Sequence, residues 1–259
     1  MHRSYLFLCI LILLLASCSQ NTRPISEKAA EKRAASAKFT VVDPATAGSI
    51  HGIIHFSGKA PAPVAIDMGM DPGCMLSNLK PNFSQQYVVN DGALANVYVY
   101  LKHGLEGNTY AVPSKPAILD QTGCRYAPHV LALMAGQTLQ VRNSDPTMHN
   151  VHAQPSAPSN PQWNMSQMPK GAPIEKTFHD PEVMMPLKCN QHPWMKAYVN
   201  VAQNPFYAVS DGKGRFEISG LPPGQYILAA VHEARGEQTQ AVTVDPKQDK
   251  AVDFTFDAQ

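Results

Sequence analysis

Cys189-Asn190-Gln191-His192-Pro193-Trp194-Met195 places a thiol, an imidazole and a thioether within seven residues of the chain. Thiolate and thioether sulfur suit Cu(I), whereas imidazole suits both oxidation states of copper. Two histidines and one cysteine in a trigonal set, with a long bond to an axial methionine, form the ligand set of mononuclear electron-transfer copper sites. This stretch therefore offers Cys189, His192 and Met195 as candidate copper ligands, and a second histidine must come from elsewhere.

A second histidine is present upstream, in the segment 143–152, Asn-Ser-Asp-Pro-Thr-Met-His-Asn-Val-His. Its histidines, His149 and His152, stand three residues apart, so along an extended segment their side chains point to opposite faces. Only one of them can aim at a given metal. We expect His149 to be the ligand, with His152 as the alternative.

Other metal sites fit these two segments less well. A structural zinc site uses four Cys or His ligands and rarely accepts Met, and only one cysteine lies here. A c-type haem needs Cys-x-x-Cys-His, and a binuclear copper site needs a second cysteine in the same loop. The sequence contains neither pattern. The alternative without a metal is a buried cysteine with a chance histidine nearby.

The two segments together resemble the cupredoxins, or blue copper proteins, most closely the amicyanin and plastocyanin branch. That branch has a Cys-x-x-His-Pro-aromatic-Met loop and an upstream Pro/Met-His-Asn-Val-His segment, which 189–195 and 148–152 match in order and spacing. The resemblance spans 131–201. It implies one type 1 copper with the equatorial ligands His149, Cys189 and His192 and the axial ligand Met195.

The same resemblance implies that Asn150 ties the two ligand loops together by hydrogen bonds and so fixes the ligand geometry. One segment departs from the family: Val-Met-Met-Pro-Leu-Lys at 183–188 replaces the usual Gly-x-Tyr-x-Tyr run. This departure concerns the packing beneath the copper and leaves the ligands unchanged.

The resemblance also implies an exit for electrons. In amicyanin-like proteins the histidine of the cysteine loop reaches the surface, and here Pro193 and Trp194 follow it. We therefore expect electrons to leave through His192, with Pro193 and Trp194 forming part of an apolar docking surface for a redox partner. The alternative places Trp194 beneath the loop as core packing.

Other metal-capable residues have simpler interpretations. His51 and His55 share a face of the predicted strand 49–56, but four residues of strand separate them by about 13 Å, too far to chelate one ion. We expect them on a solvated face.

Met68, Met70 and Met75 surround Cys74. They form either a Cu(I)-trafficking patch or flexible packing, which is the commoner use of Met.

The N-terminus is typical of an exported bacterial protein. His2 and Arg3 precede an apolar run at 5–16 that is shorter than the about 20 residues needed to span a bilayer. The sequence Leu-Ala-Ser-Cys at 15–18 resembles the lipobox of bacterial lipoproteins, which implies a signal peptide at 1–17 and lipidation of Cys18. The alternative is a plain secretory signal.

This processing predicts where the protein resides. Residues 18–45 form a lipidated, flexible tether, and the folded part faces the periplasm from the bacterial cell envelope. Ser19 after the lipidated cysteine favours the outer membrane. The chain carries 21 Lys and Arg against 20 Asp and Glu, and this near-neutral balance argues against nucleic acid as a partner.

The remaining cysteines follow from this assignment. Cys9 leaves with the signal peptide, Cys18 is lipidated and Cys189 binds metal, which leaves Cys74 and Cys124 among the five cysteines. In an oxidising periplasm such a pair most simply forms a disulfide. The alternative is two buried thiols.

Alternating apolar residues and frequent Gly and Pro predict an all-β fold of short strands. The expected class is a cupredoxin-type Greek-key β-sandwich plus a smaller transthyretin-like or carboxypeptidase-regulatory-like β-sandwich portion. The predicted strands are 49–56, 94–101, 139–143, 197–201, 215–218, 226–231, 240–244 and 252–256. We expect the Pro-rich stretch 155–173 to be a long mobile or partner-contacting loop.

The smaller portion is predicted from the C-terminal segment. Asp-Gly-Lys-Gly-Arg-Phe-Glu-Ile at 211–218 and Leu-Pro-Pro-Gly-Gln-Tyr at 221–226 resemble the carboxypeptidase regulatory-like sandwich. We divide the chain into a copper domain with an N-terminal β extension at 46–204 and a regulatory-like segment at 205–259. That segment holds too few strands for a sandwich, so strands from 46–101 either complete it or extend the copper domain.

The function expected from the sequence is that of a membrane-anchored copper protein which transfers electrons between redox partners. Periplasmic copper storage or delivery is the alternative, and an adhesive sandwich with a vestigial site is a third reading. The sequence shows no Ser-His-Asp grouping, Walker-type loop or paired-carboxylate motif. Four protein ligands would leave no open position for a substrate, so we expect no enzyme activity.

Overall fold

The computed structural model describes residues 39–258. The predicted signal peptide at 1–17, the lipidation site Cys18 and most of the tether lie outside these residues. Among the residues described, no helix is both long and apolar enough to cross a membrane.

The described chain is built from short β-strands, which confirms the predicted all-β class. The strands are β1 (Gly48–Ser57), β2 (Val89–Asn90), β3 (Ala93–Leu94), β4 (Tyr98–His103), β5 (Ala117–Gln121), β6 (Tyr126–Ala127), β7 (Val130–Met134), β8 (Thr138–Asn143), β9 (His149–Ala153), β10 (Trp163–Gln167), β11 (Ile174–Thr177), β12 (Glu182–Lys188), β13 (Lys196–Ala202), β14 (Tyr207–Val209), β15 (Arg215–Leu221), β16 (Gly224–His232), β17 (Gly236–Val244), β18 (Asp249–Ala251) and β19 (Phe254–Asp257). A short helix, α1 (Pro72–Ser77), precedes β2.

The strands form four sheets that pack in pairs. One pair consists of β10-β9-β12-β13-β7 and β11-β8-β5-β6. Their inward side chains share one core, and we call this pair the site sandwich (117–202). The other pair consists of β14-β4-β16-β17 and β15-β1-β3-β2, in which β18 and β19 also pair with β1. These sheets share a second core, and we call them the scaffold sandwich (48–103 and 207–257).

Strand β1 illustrates how the sequence builds the scaffold sandwich. Ile50, Ile54 and Phe56 alternate inward and are buried, as the period of two in a strand requires. His51 and His55 point outward, towards Asp249 and Asp253. A Cβ at position 52 would lie 1.8 Å from the Val252 carbonyl oxygen, so only glycine permits this close approach of the chains.

The C-terminal strands are completed by the N-terminal part of the chain. β15, β18 and β19 pair with β1, whereas β14 and β16 pair with β4. The segment 205–259 therefore shares its sheets with strands from 48–103, and the site sandwich lies between these two pieces in sequence. From β4 to β5 the chain passes from the scaffold sandwich to the site sandwich, and from β13 to β14 it returns.

Two sequence predictions of single elements are wrong. The predicted strand 94–101 is two strands in different sheets, because Asn96 adopts a positive φ of 63° and redirects the chain between β3 and β4. The stretch 155–173, expected to be a loop, contains β10, which pairs antiparallel with β9 from Trp163↔Ala153 to Gln167↔His149. Pairing with the preceding strand β9 supplies the backbone hydrogen bonds of β10, which the Pro-rich sequence around it does not indicate.

Candidate metal centre

The candidate ligands meet at one end of the site sandwich. His149 begins β9, and Cys189 directly follows β12. β12 pairs with β9 through Lys188↔His152 and Leu187↔Ala153, so the cysteine loop is held beside the upstream histidine. The ligand atoms of His149, Cys189 and His192 all lie within 4.8 Å of one another, and all three side chains are buried.

The two histidines present the same ring nitrogen to each other. Nδ1 of His149 lies 2.9 Å from Nδ1 of His192, and Cys189 Sγ lies 3.6 Å from His192 Nδ1. Two imidazole nitrogens and a sulfur that converge in a buried space are suited to share one soft or borderline metal ion.

Met195 closes the ligand loop. Its backbone N–H donates to the His192 carbonyl at 2.9 Å, and its own carbonyl accepts from the Cys189 N–H at 3.2 Å. The side chain is 1% exposed and packs in the same core as Cys189. These backbone bonds close a tight turn between Cys189 and Met195.

Asn150 connects the two ligand segments. Its Oδ1 accepts from the Asn190 backbone N–H at 2.7 Å and lies 3.3 Å from Cys189 Sγ. Its Nδ2 donates to Asn164 Oδ1 on the neighbouring strand at 2.6 Å. The side chain thus bridges β9, β10 and the cysteine loop, the position that the sequence resemblance implied.

His152 points away from this group. Its Nδ1 lies 3.3 Å from Asn190 Oδ1, and its Nε2 lies 2.7 Å from Gln162 Nε2, both at the protein surface. The strand alternation between His149 and His152 therefore operates as expected, and the structure brings only His149 to the site.

Two aspartates that the sequence analysis missed bind the outer edges of the histidines. Asp145 Oδ2 lies 2.9 Å from His149 Nε2, and Asp71 Oδ2 lies 3.0 Å from His192 Nε2. Asp145 could have been noticed four residues before His149. Asp71 had no such signal, because 121 residues separate it from His192.

The segment 67–77, which ends in α1 and which we call the cap, covers the site. It lies far upstream of both ligand segments in the sequence. Asp71 is the N-cap of α1, where its side chain accepts from the Cys74 N–H. Cys74 is joined to Cys124 in a disulfide bond. Through this bond, α1 is fixed to the turn before β6.

The cap overturns the expectation that His192 reaches the surface. His192 is 3% exposed, because Asp71 and the buried Cys74 lie over its Nε2 edge. Trp194 is half-buried, donates its indole N–H to the Cys124 carbonyl at 3.0 Å and packs 5.0 Å from the His192 ring. Pro193 is exposed, so part of the expected docking surface remains open.

The pKa values of Cys189 and His149 are shifted in opposite directions. Burial raises the pKa of Cys189, but hydrogen bonds from His149 and from the backbone N–H groups of Asn150, Gln191 and His192 lower it to about 6. Burial lowers the pKa of His149, but hydrogen bonds and charges of Asp145 and Cys189 raise it to about 9. A thiolate is therefore ready to bind metal, and an ion must displace the proton of His149.

The donor set fits copper. It combines one thiolate, two imidazole nitrogens and a buried thioether, whereas structural zinc sites use four Cys or His ligands. Cys189 is the only free cysteine among residues 39–258.

The three methionines around Cys74 differ in exposure to solvent. Met68 is buried, whereas Met70 and Met75 are exposed.

Comparisons with known proteins are partial. The family of carboxypeptidase regulatory-like domains matches residues 190–257. This range covers the C-terminal strands of the scaffold sandwich and also most of the cysteine loop and β13. No curated protein matches the sequence significantly.

Solved structures with some likeness include several copper proteins. A Cu-containing nitrite reductase from Thermus scotoductus SA-01 is 19% identical over 39% of this chain and 26% of its own, with a TM-score of 0.32. The reduced Cu(I) form of the P52G mutant of amicyanin is 21% identical over 35% of this chain and 86% of its own, with a TM-score of 0.31.

A purple cupredoxin from Nitrosopumilus maritimus is 21% identical over 33% of this chain and 99% of its own, with a TM-score of 0.28. The present chain spans about a quarter of the nitrite reductase chain, since 26% of that chain is covered. Identities and TM-scores this low carry no argument about function, so the proposal below rests on the site itself.

Proposed function

We propose that the protein binds one copper ion through His149, Cys189, His192 and Met195 as a type 1 centre and transfers electrons between redox partners. The observation that carries this proposal is the convergence of two histidine Nδ1 atoms, 2.9 Å apart, beside the buried Sγ of Cys189. Bound copper would supply one-electron exchange between Cu(II) and Cu(I).

The residues around the site perform the other tasks of an electron-transfer centre. Asn150 and the short Cys189–Met195 turn hold the ligands in place, which limits the rearrangement that accompanies a change of charge. Burial of all four side chains excludes water. Four protein ligands leave no position for a substrate, so we propose a carrier and no enzyme.

Copper storage or delivery is a second candidate, and a specific observation favours it. Met70 and Met75, on the cap that covers the site, are 76% and 52% exposed. Exposed thioethers are soft ligands that can receive Cu(I). Visible absorption separates the candidates, since a Cu(II)–thiolate centre is intensely coloured and a Cu(I) carrier is colourless.

Optical and EPR spectra of the copper-loaded full-length protein test the proposal. We expect an intense charge-transfer band that Cys189→Ser abolishes, because the band requires the thiolate. Met195→Gln should keep copper and shift the reduction potential, because the axial ligand tunes the site without holding it. An unchanged spectrum in Cys189→Ser would contradict the assignment of a type 1 copper centre to this site.

The two upstream histidines provide a matched pair of variants. His149→Ala should lose the band, whereas His152→Ala should retain it, because His152 contacts only surface residues. Equal loss in both variants would mean that His149 is not the specific ligand.

We also propose that a lipid on Cys18 anchors the protein in the bacterial cell envelope, facing the periplasm, with the outer membrane as the expected location. The proposal is supported by the Leu-Ala-Ser-Cys sequence at 15–18. Cys18→Ala should release a soluble or unprocessed form on fractionation. Equal membrane association of both proteins would refute this anchor.

A further inference from the structure

Both candidate histidine ligands carry a carboxylate on the ring edge that faces away from the site. His149 Nε2 lies 2.9 Å from Asp145 Oδ2, and His192 Nε2 lies 3.0 Å from Asp71 Oδ2. A histidine that offers Nδ1 to a metal carries its proton on Nε2 and donates it to such a partner. The two rings are therefore held by the same kind of bond, from opposite sides.

Each carboxylate is fixed in turn by one half of the same disulfide. Asp145 accepts from the Cys124 backbone N–H at 2.8 Å and from the Gly123 N–H at 2.7 Å. Asp71 accepts from the Cys74 N–H at 2.9 Å. Because Cys74 and Cys124 are bonded to each other, these four residues form one unit, which we call the carboxylate bracket.

The bracket places two negative charges close to the candidate copper ligands, and the two carboxylates differ in their exposure to solvent. The Asp145 side chain is 5% exposed and that of Asp71 is 23% exposed. Copper(II) with one thiolate carries a single positive charge, whereas copper(I) with one thiolate is neutral. Fixed carboxylates attract the positively charged Cu(II) state but not the neutral Cu(I) state. This attraction weakens as the carboxylate becomes more exposed to solvent.

We propose that the carboxylate bracket stabilises the oxidised state of the centre and lowers its reduction potential, with Asp145 contributing more than Asp71. Both aspartates are positioning residues that act through the histidines. The inference rests on the proposed function, since it assumes a copper ion at this site. A lower potential makes the reduced centre a stronger electron donor than the same centre without the two carboxylates.

Charge and positioning can be separated with amide variants. Asparagine keeps one acceptor oxygen, which can still accept the Nε2–H, and removes the negative charge; its NH2 group replaces the oxygen that accepts only from a backbone N–H, Gly123 for Asp145 and Cys74 for Asp71. In voltammetry of the copper-loaded full-length protein, we expect Asp145→Asn to raise the reduction potential. Asp71→Asn should raise it less, and the double variant should raise it most.

Two carboxylates outside the bracket serve as matched controls. Asp67 lies in the same cap as Asp71 and accepts from the Gly69 N–H, while Asp120 on β5 accepts from the Ser144 hydroxyl. Asp67→Asn and Asp120→Asn remove the same charge without touching a histidine. Their potentials should match that of the wild type.

The outcomes distinguish this inference from the proposed function. A coloured wild-type protein whose bracket variants shift no more than the controls overturns the role of the bracket. A wild-type protein with no copper band overturns the proposed function instead. Should Asp145→Asn fail to fold, the partly exposed Asp71→Asn carries the same test, and an unchanged potential there overturns the inference as well.

Discussion

The two sandwiches of the protein have similar strands but different interiors. The core of the scaffold sandwich is almost wholly apolar, and its buried polar residues are Ser210 and His232. The site sandwich and the turns that join its strands bury a much larger polar set: Gln121, His129, Gln137, Asn143, Asp145, His149, Asn150, Asn160, Gln167, Glu182, His192 and Asn200. One interior is held by apolar contact, and the other also by hydrogen bonds.

This difference shows where a fold can accommodate a site. A buried polar atom without a partner costs free energy, and many buried polar groups of the site sandwich are connected in networks; the indole nitrogen of Trp163 is an exception. Gln121, for example, donates to Gln167 at 2.6 Å, and Gln167 donates to two backbone carbonyls. Ligands built into such a network are held firmly, while the scaffold sandwich supplies stability that does not depend on the site.

The largest expected loss of stability comes from the scaffold core. Ile54→Ala removes a fully buried side chain from β1 and should lower the free energy of unfolding by about 3–4 kcal/mol through lost burial and the remaining cavity. Urea denaturation followed by fluorescence measures the change. The copper spectrum of the folded protein should stay unchanged, because no ligand contacts this core.

The adjacent residue is the control for this prediction. Ile53 points outward from the same strand and is 38% exposed, so Ile53→Ala should cost less than about 1 kcal/mol. Equal losses at positions 53 and 54 would contradict the assigned inward and outward faces of β1.

A smaller loss is expected where the two sandwiches meet. Glu233 follows β16, and its carboxylate forms a buried hydrogen bond with the ring of His129, which precedes β7; the two side chains are 5% and 8% exposed. Glu233→Gln replaces a charged hydrogen-bond partner of the buried histidine with a neutral one and should cost about 2–3 kcal/mol. Glu237→Gln, which breaks a more exposed pair with Lys102, should cost less than about 1 kcal/mol.

The same pair gives a pH dependence. Burial raises the pKa of Glu233, but the hydrogen bond and charge of His129 bring it below its ordinary value. A lowered folded-state pKa contributes stability above the unfolded value, and this contribution is lost as the pH falls through the folded value. Denaturation midpoints should therefore fall less steeply with acid in Glu233→Gln than in the wild type, and parallel curves would contradict the pair.

The polar network around the site should be less costly to disturb. Asn150→Ala leaves the Asn190 N–H without its acceptor and should cost about 2 kcal/mol. Its exposed partner Asn164 is the matched control, since water can replace its bond. If Asn164→Ala cost as much as Asn150→Ala in the same denaturation experiment, the bridge between the ligand segments would have no special role.

The sequence predicted the parts of this molecule that depend on local pattern. Alternation over 49–56 and 139–143 identified β1 and β8, because each strand buries one face against its own core. Local pattern also indicated the candidate ligands. Cys189, His192 and Met195 share one short loop, and the alternation along β9 turns His149 towards Cys189 and His192 and turns His152 away.

Features that depend on pairing between separate segments could not be predicted. The strand β10 was missed because its Pro-rich surroundings indicate a loop, and only its partner β9 provides the hydrogen bonds. Asp71 was missed because nothing in its own segment indicates His192. The buried position of His192 follows from the same cap, so a likeness confined to the ligand loop could not reveal it.

The smallest expected effect concerns Trp194, for which the sequence left docking and packing open. Trp194→Phe removes the indole N–H that donates to the Cys124 carbonyl but keeps an aromatic ring against His192. We expect a loss of about 1 kcal/mol in unfolding free energy and a nearly unchanged copper spectrum. The sequence prediction of a docking surface at Pro193 and Trp194 has its own test: if it is right, Trp194→Ala slows electron transfer to a redox partner, because the aromatic ring beside exposed Pro193 is removed.

The second tryptophan of the chain provides the control for this bond. Trp163 has a buried indole nitrogen with no hydrogen-bond partner among the described residues, so Trp163→Phe removes a donor that bonds nothing and should cost no stability through hydrogen bonding. Side-by-side urea denaturation of the two Phe variants isolates the Trp194 bond from the change in ring size. A Trp194→Phe protein that keeps its stability but loses copper would mean that the indole acts on the ligand loop, whereas equal losses in both variants would assign the effect to packing alone.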